Sequence, residues 1–188
     1  DEKQGLLREF ISNNNDLSKY FPKLIAFDKK FIIEEWVNGK TLKQLNFKNL
    51  ENIPETKEIK NILDQMWSVK YNYQVFDYIN YIHKRVNKKN QFDLSKVPNR
   101  INHNDLSLDN IIITPEGLKI IDNEFLGCNN GWILNVKNSF LEENFEYQKF
   151  VSEDTLNKLW NVRKEWSKII KINQFKKKWN LVNFFKIF

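Results

Sequence analysis

Between Asn102 and Glu124 the chain alternates polar clusters with short isoleucine-rich segments, and few folds accommodate that order. The run Asn102-His103-Asn104-Asp105-Leu106-Ser107-Leu108-Asp109-Asn110 leads into Ile111-Ile112-Ile113-Thr114. A Pro115-Glu116-Gly117 tip follows, and then Ile120-Ile121-Asp122-Asn123-Glu124. Two apolar segments joined by proline and glycine read as a tight antiparallel hairpin. Asn110 and Asp122 flank that hairpin, and Asp105 stands five residues before Asn110.

An aspartate, an asparagine and a second aspartate in this order supply a carboxylate that can receive a hydroxyl proton and two hard-oxygen donors. Those are the parts that a kinase-type phosphoryl-transfer site needs. The segment resembles the aminoglycoside phosphotransferase and choline kinase branch of the protein-kinase-like superfamily, which reads roughly His-x-Asp-Leu-x-x-x-Asn-Ile-Leu, a turn, then Ile-Asp-x-Glu. His103, Asp105, Leu106, Asn110 and Ile111 fit the first part; Ile121, Asp122 and Glu124 fit the second. The resemblance implies an α+β, protein-kinase-like fold that uses ATP and Mg2+. It implies Asp105 as catalytic base, Asn110 and Asp122 as metal ligands, and His103 as an orienting residue. Asn104 stands where protein kinases carry arginine, and Asn123-Glu124 replaces Phe-Gly. Both departures favour a small-molecule hydroxyl acceptor, such as an amino alcohol, sugar or aminoglycoside, over a protein.

Upstream, Leu6, Leu7, Phe10 and Ile11 repeat at helical spacing and predict a helix over residues 2–12. In the resembling family that helix carries a glutamate paired with a lysine, and Glu2 is the candidate. Leu24-Ile25-Ala26-Phe27 and Phe31 to Val37 read as two strands joined by Asp28-Lys29-Lys30. By the resemblance, the second strand runs into a hinge where the Glu35 carbonyl and the Val37 amide meet the adenine edge. An ordinary hairpin ending in an Asn38-Gly39 turn accounts for the same residues. Thr41 is a candidate helix cap. The family's glycine-rich hairpin and lysine-bearing strand are not visible after Asp1. The expected organisation is therefore a partial N-terminal lobe over residues 1–43 and a helical C-terminal lobe over 44–188.

Ile59, Ile62, Leu63, Met66, Val69, Tyr73, Phe76, Ile79 and Val86 form a helical stripe, as one helix or as two with a break near Tyr71. His83 beside it reads as a surface or boundary residue. Asp109 reads as a solvent-side or loop-bracing carboxylate, and Glu124 as a metal-supporting or loop-bracing one. Gly127 and Gly131 could admit a ligand close to the backbone, or simply make turns. Helices are expected over Trp132–Leu141 and Ser152–Ile172, the second capped by Ser152. The lysine- and aromatic-rich tail from Phe175 to Phe188 reads either as a terminal helix packed on the domain or as an interfacial helix on an anionic membrane.

The 188 residues suffice for a core, with 15 Phe, 6 Trp and 6 Tyr to fill it. A lone cysteine, Cys128, excludes an internal disulfide framework, and with no histidine near it in sequence a nucleophilic role is not expected. No apolar run is long enough to span a membrane. A net charge of +6 suits an anionic partner without choosing one, but the lysines are dispersed and no RNA-recognition signature accompanies them, so nucleic acid is not expected. A cytoplasmic location is expected, peripheral to the inner membrane face if the tail docks there. Three alternatives stand beside a small-molecule kinase. They are a bacterial envelope-glycan sugar kinase, a kinase-like nucleotide-binding or interaction module without catalysis, and a polar hairpin loop in an unrelated α+β protein.

Overall fold

The computed structural model describes residues 2–50, 53–137 and 147–184, with the backbone alone at 136–137 and 171–184. The elements run α1 (Glu2–Ser12), β1 (Leu24–Phe27), β2 (Ile32–Glu34), β3 (Lys40–Thr41), α2 (Thr56–Ser68), α3 (Tyr78–Arg85), β4 (Arg100–Asn102), β5 (Ile111–Thr114), β6 (Gly117–Ile120), β7 (Gly127–Asn129) and α4 (Glu153–Phe184). The class is mixed α+β, with small antiparallel sheets among helices.

Residues 111–120 pair as the sequence predicts, Ile111 opposite Ile120 and Thr114 opposite Gly117. The tip is closed by Thr114, whose hydroxyl donates to the Gly117 carbonyl at 2.9 Å and accepts from the Glu116 amide at 3.2 Å. β3 joins the other side of β5, with Lys40 opposite Ile113. Gly39 is required there because a Cβ would lie 2.4 Å from the Ile113 carbonyl oxygen. β1 and β2 form their own hairpin, closed by the Asp28 carboxylate on the amides of Lys30 and Phe31. The second strand is shorter than expected: beyond Glu34 the Glu35 amide bonds to the Lys23 carbonyl and pairing stops.

One core joins these pieces. Leu7 and Ile11 of α1, Leu42, the inner faces of α2 and α3, Ile111, Leu118 and Ile120 of the hairpin, Trp132, and Leu156, Leu159 and Trp166 of α4 are all buried in it. Of the predicted stripe over 56–87, Ile59, Ile62, Leu63 and Met66 lie on α2 and Ile79 on α3, while Val69, Tyr73 and Phe76 fall in the non-helical segment between the helices and Val86 just past α3. Within that segment Phe76 takes a left-handed backbone, φ 54°, and its neighbour Val75 bridges to Cys128. α3 starts at Asp77, whose carboxylate accepts from the Asn80 amide at 3.0 Å.

Several expectations are corrected. His83 is not at the surface: it is 2% exposed, and a ring N–H at Nδ1 faces the Ile79 carbonyl at 2.8 Å. It lies one turn after Ile79 on the same buried face, so the apolar stripe outweighs its polarity. Thr41 caps no α-helix. It closes a turn with Gln44 instead, its hydroxyl accepting from the Gln44 amide while Gln44 Oε1 accepts from the Thr41 amide. The expected helix from Trp132 is a 3-10 helix over Asn130–Lys137, and residues 138–141 of that reading lie outside the described residues. α4 begins after Ser152, whose hydroxyl accepts from the Thr155 amide at 3.2 Å, and runs unbroken to Phe184 rather than ending at Ile172. No glycine or proline occurs between 153 and 184 to stop it. How the tail's aromatic and lysine side chains pack lies outside the described residues. Among the described residues no helix is long and apolar enough to cross a membrane.

Candidate functional site

The loop from Asn102 to Asn110 is held from below by a ladder of buried carboxamides. Asn135 Nδ2 donates to Asn102 Oδ1 at 2.7 Å, and Asn102 Nδ2 donates to Asn104 Oδ1 at 2.7 Å. Asn104 Nδ2 then donates to the Phe125 carbonyl at 2.8 Å. Asn104 has φ 64°, a left-handed conformation that asparagine tolerates better than most side chains. Buried amides satisfied one by another fix a unique loop geometry, whereas an unpaired one would cost stability.

On this base stand Asp105 and Asn110. Asn110 Nδ2 donates to the Asp105 carbonyl at 2.9 Å and reaches its carboxylate at 3.4 Å. The carboxamide nitrogen is thus committed, and Oδ1 faces away from Asp105. Across the hairpin base the Ile121 amide donates to the Asn110 carbonyl at 2.9 Å, which brings the following residue, Asp122, beside Asn110. Asp122 is exposed, with φ 60° and ψ 58°, and its carboxylate takes no hydrogen bond among the described residues. Left-handed backbone at a non-glycine residue is costly and clusters at functional sites. His103 is buried beneath this corner, and its Nε2 faces the Ile121 carbonyl at 2.9 Å, so Nε2 carries the proton. Burial drives the His103 imidazole down to about 4, against a smaller opposing pull from that carbonyl and from Asp122. The ring is therefore neutral and acts as a spacer.

Electrostatics tie the acidic groups together. Burial raises the Asp105 carboxyl above its ordinary range, Arg163 and Asn110 draw it back, and Asp109 raises it. Glu124 is raised by burial first, then by the charges of Asp122 and Asp105. Glu124 therefore lies within the field of both aspartates. Asp109 points outward to Lys43, 2.7 Å away, where both side chains are largely exposed.

Two arginines contribute that the sequence reading did not single out. Arg163 of α4 donates from Nη2 to Asp105 Oδ1 at 3.2 Å, and its guanidinium lies 4.5 Å from the Trp166 ring. Phe125 packs against Trp166 and Tyr78, which completes an aromatic floor beneath it. Arg8 of α1 is 1% exposed and forms an ion pair with Glu34 of β2. Glu34 in turn accepts from Asn123 Nδ2 at 3.2 Å, next to Asp122. The signal was present in both cases. Arg8 follows Leu7 and precedes Ile11 by three, and Arg163 lies four after Leu159 and three before Trp166. Each is a charge set within an apolar helical face, which needs a buried partner. Glu2, expected as an inward partner for a lysine, instead lies at the surface 3.9 Å from Lys29.

Asp105 and Asn110 thus touch, and the backbone of Asp122 follows the residue paired with Asn110. Glu35 and Val37 lie elsewhere, just past β2. Glu35 is exposed, tied by its carboxylate to the Lys23 amide at 2.9 Å, while its carbonyl and the Val37 amide take no hydrogen bond among the described residues. A cavity of about 210 Å³ opens between α1, β2 and the turn after Asp122, lined by Gln4, Arg8, Ile32, Glu34, Asn123 and Glu124. A larger one, about 580 Å³, lies away from this corner, where Lys88, Lys89 and Lys158 ring a gap between α3 and α4. Gly127 and Gly131 do not open onto a ligand. A Cβ at Gly127 would lie 2.4 Å from the Val75 carbonyl, and one at Gly131 would press on Asn104 and Asn129. Cys128 is buried, and desolvation pushes its thiol up to about 11, which leaves it no nucleophilic role.

A carboxylate and a carboxamide oxygen, each without a donor among the described residues, are hard ligands suited to Mg2+ that completes its shell with water and phosphate. Among the described residues no cluster of three or more histidine, cysteine or acidic side chains could hold a metal unaided. Protein-family models and curated proteins were both compared with this chain, and neither comparison gives a match.

Proposed function

We propose that the chain is an ATP-dependent phosphotransferase with a protein-kinase-like fold that acts on a hydroxyl of a small molecule. The observation that carries this reading is the convergence of Asp105, Asn110 and Asp122: one side-chain contact joins the first two, and one backbone pair brings the third beside them. The pairing of β3 with β5 and of β4 with β7 around that corner supports the fold reading.

In this reading Asp105 accepts the proton of the acceptor hydroxyl as its oxygen bonds to the γ-phosphorus and the bond to ADP breaks. Asn110 holds the carboxylate in place through its Nδ2 and turns Oδ1 outward. Asp122 presents a carboxylate from a left-handed turn. Mg2+, when bound by Asn110 and Asp122, supplies positive charge against the phosphate oxygens. The Glu35 carbonyl and Val37 amide offer one acceptor and one donor to an adenine edge. Most of the rate enhancement then comes from positioning and preorganised charge.

Calorimetry of ATP with and without Mg2+, on the protein and on Asp122→Ala, tests the assignment together with ADP release in the presence of hydroxyl acceptors. We expect metal-dependent binding that Asp122→Ala removes. Nucleotide binding without any product would favour the non-catalytic module, and binding unchanged in Asp122→Ala would remove that residue from the site.

A further inference from the structure

We propose that Arg163 selects an acidic acceptor, a hydroxy acid or a hydroxyl-bearing phosphate whose anionic group lies a few bonds from the reacting hydroxyl. This rests on the phosphotransferase reading. If Asp105 takes the hydroxyl proton, the hydroxyl sits against its carboxylate, and Arg163 Nη2 is 3.2 Å from that same carboxylate. A substituent a few bonds from that hydroxyl is then within reach of the guanidinium.

The guanidinium is fixed in advance. Nη1 donates to Ser167 Oγ, Nη2 to Asp105, and the plane lies 4.5 Å from the Trp166 ring and 5.9 Å from the Tyr78 ring. One fifth of the side chain remains exposed. Ser167, Asp105 and the nearby Tyr78 hydroxyl engage part of the five-donor fork, and the remaining donors can meet a carboxylate or phosphate. The aromatic floor that could otherwise cradle a substrate ammonium already holds this cation. An amine placed at Arg163 meets like charge and an anion placed there meets an oriented partner, a local preference set against the negative charge of Asp122 and Glu124 at the same corner.

Matched acceptors test this: glycerate, glycerol 3-phosphate, glycerol and 3-amino-1,2-propanediol, and likewise gluconate, glucose 6-phosphate, glucose and glucosamine. ADP release is measured for the protein and for Arg163→Gln and Arg163→Lys, with circular dichroism as the folding check. We expect kcat/KM for an acidic member to exceed that for the matching amine by about tenfold or more. Arg163→Gln should raise KM for the acidic member far more than for the neutral one, and Arg163→Lys should recover part of the difference. The carboxylate and phosphate members show which anion is read. Preference for the amine, or an Arg163→Gln effect confined to an equal fall in kcat across all members, overturns the inference and leaves the phosphotransferase reading intact. Failure of every acceptor overturns both.

Discussion

Asn110 Nδ2 lies 2.9 Å from the Asp105 carbonyl and 3.4 Å from the Asp105 carboxylate, so the orientation of one side chain depends on the other. The contact closes the loop 105–110 on itself just before β5 begins. It also separates the two ends of the carboxamide: nitrogen inward to the aspartate, oxygen outward. The six-residue loop is short enough to bring its first carbonyl back over its last side chain, helped by the Asn110 amide donating to the Ser107 carbonyl at 3.0 Å.

Asp105→Asn keeps the backbone carbonyl and an acceptor oxygen for Asn110, so the loop should persist. It removes the group that takes the hydroxyl proton and leaves Arg163 without an opposite charge. We expect kcat for ATP-dependent phosphorylation to fall by about 100- to 10,000-fold. Thermal melting should stay close to that of the unaltered protein. Undiminished turnover would take Asp105 out of the base role.

Arg8 and Glu34 form an ion pair in which the arginine is buried and the glutamate keeps about a fifth of its side chain in water. Burial lowers the Arg8 guanidinium and Glu34 supports its charge, so removing one partner strands the other. Arg8→Met should cost about 2–3 kcal/mol, under the full buried-pair penalty because Glu34 is partly solvated. Combined with Glu34→Leu, the loss should shrink, since no uncompensated charge remains. Urea unfolding of the two singles and the double gives the coupling, and strictly additive losses would show that the pair is not coupled.

Local pattern made much of this legible. Alternation and turn residues locate the hairpin 111–120, and helical spacing locates α1, α2, α3 and the first half of α4, where buried apolar residues recur three and four apart. The order Asp105, Asn110, Asp122 could be read because all three lie on one loop and one hairpin, so their proximity is a local matter. Arg163 could not be placed, since it reaches Asp105 from 58 residues away through the packing of α4 on α3. Arg8 and Glu34 meet across α1 and β2 for the same reason. His83 misled because its sequence neighbours Lys84 and Arg85 are exposed, while a turn of helix separates it from Ile79 on the buried face.

His103 gives the fold a pH dependence with a definite sign. Its imidazole titrates near 6.5 in an unfolded chain and at about 4 when buried. Between those values the unfolded chain binds the extra proton, so stability is present above about 6.5 and lost as pH falls toward 4. That shift corresponds to roughly 2 kcal/mol lost between pH 7 and pH 5. In His103→Gln this component should vanish, and urea midpoints at the two pH values should lie closer together than in the unaltered protein. An unchanged difference would mean that other groups carry the acid sensitivity.

Gly127 begins β7 where the chain crosses the segment before α3. A Cβ there would lie 2.4 Å from the Val75 carbonyl oxygen and 2.6 Å from Asn129 Nδ2. The obstructing oxygen belongs to a backbone that also accepts from Asn129 and whose amide donates to the Cys128 carbonyl at 2.8 Å, so it cannot yield without breaking the bridge. Gly127→Ala should therefore destabilise by about 2 kcal/mol or more, lowering Tm by at least about 4 °C in a chain of this size. Because β7 pairs Gly127 with Asn102 at the foot of the loop that carries Asp105, the displacement should also reach the corner. We expect turnover at a temperature where the variant remains folded to fall in step with the loss of stability. A melting point within a degree of the unaltered protein would show that the strands have room to separate.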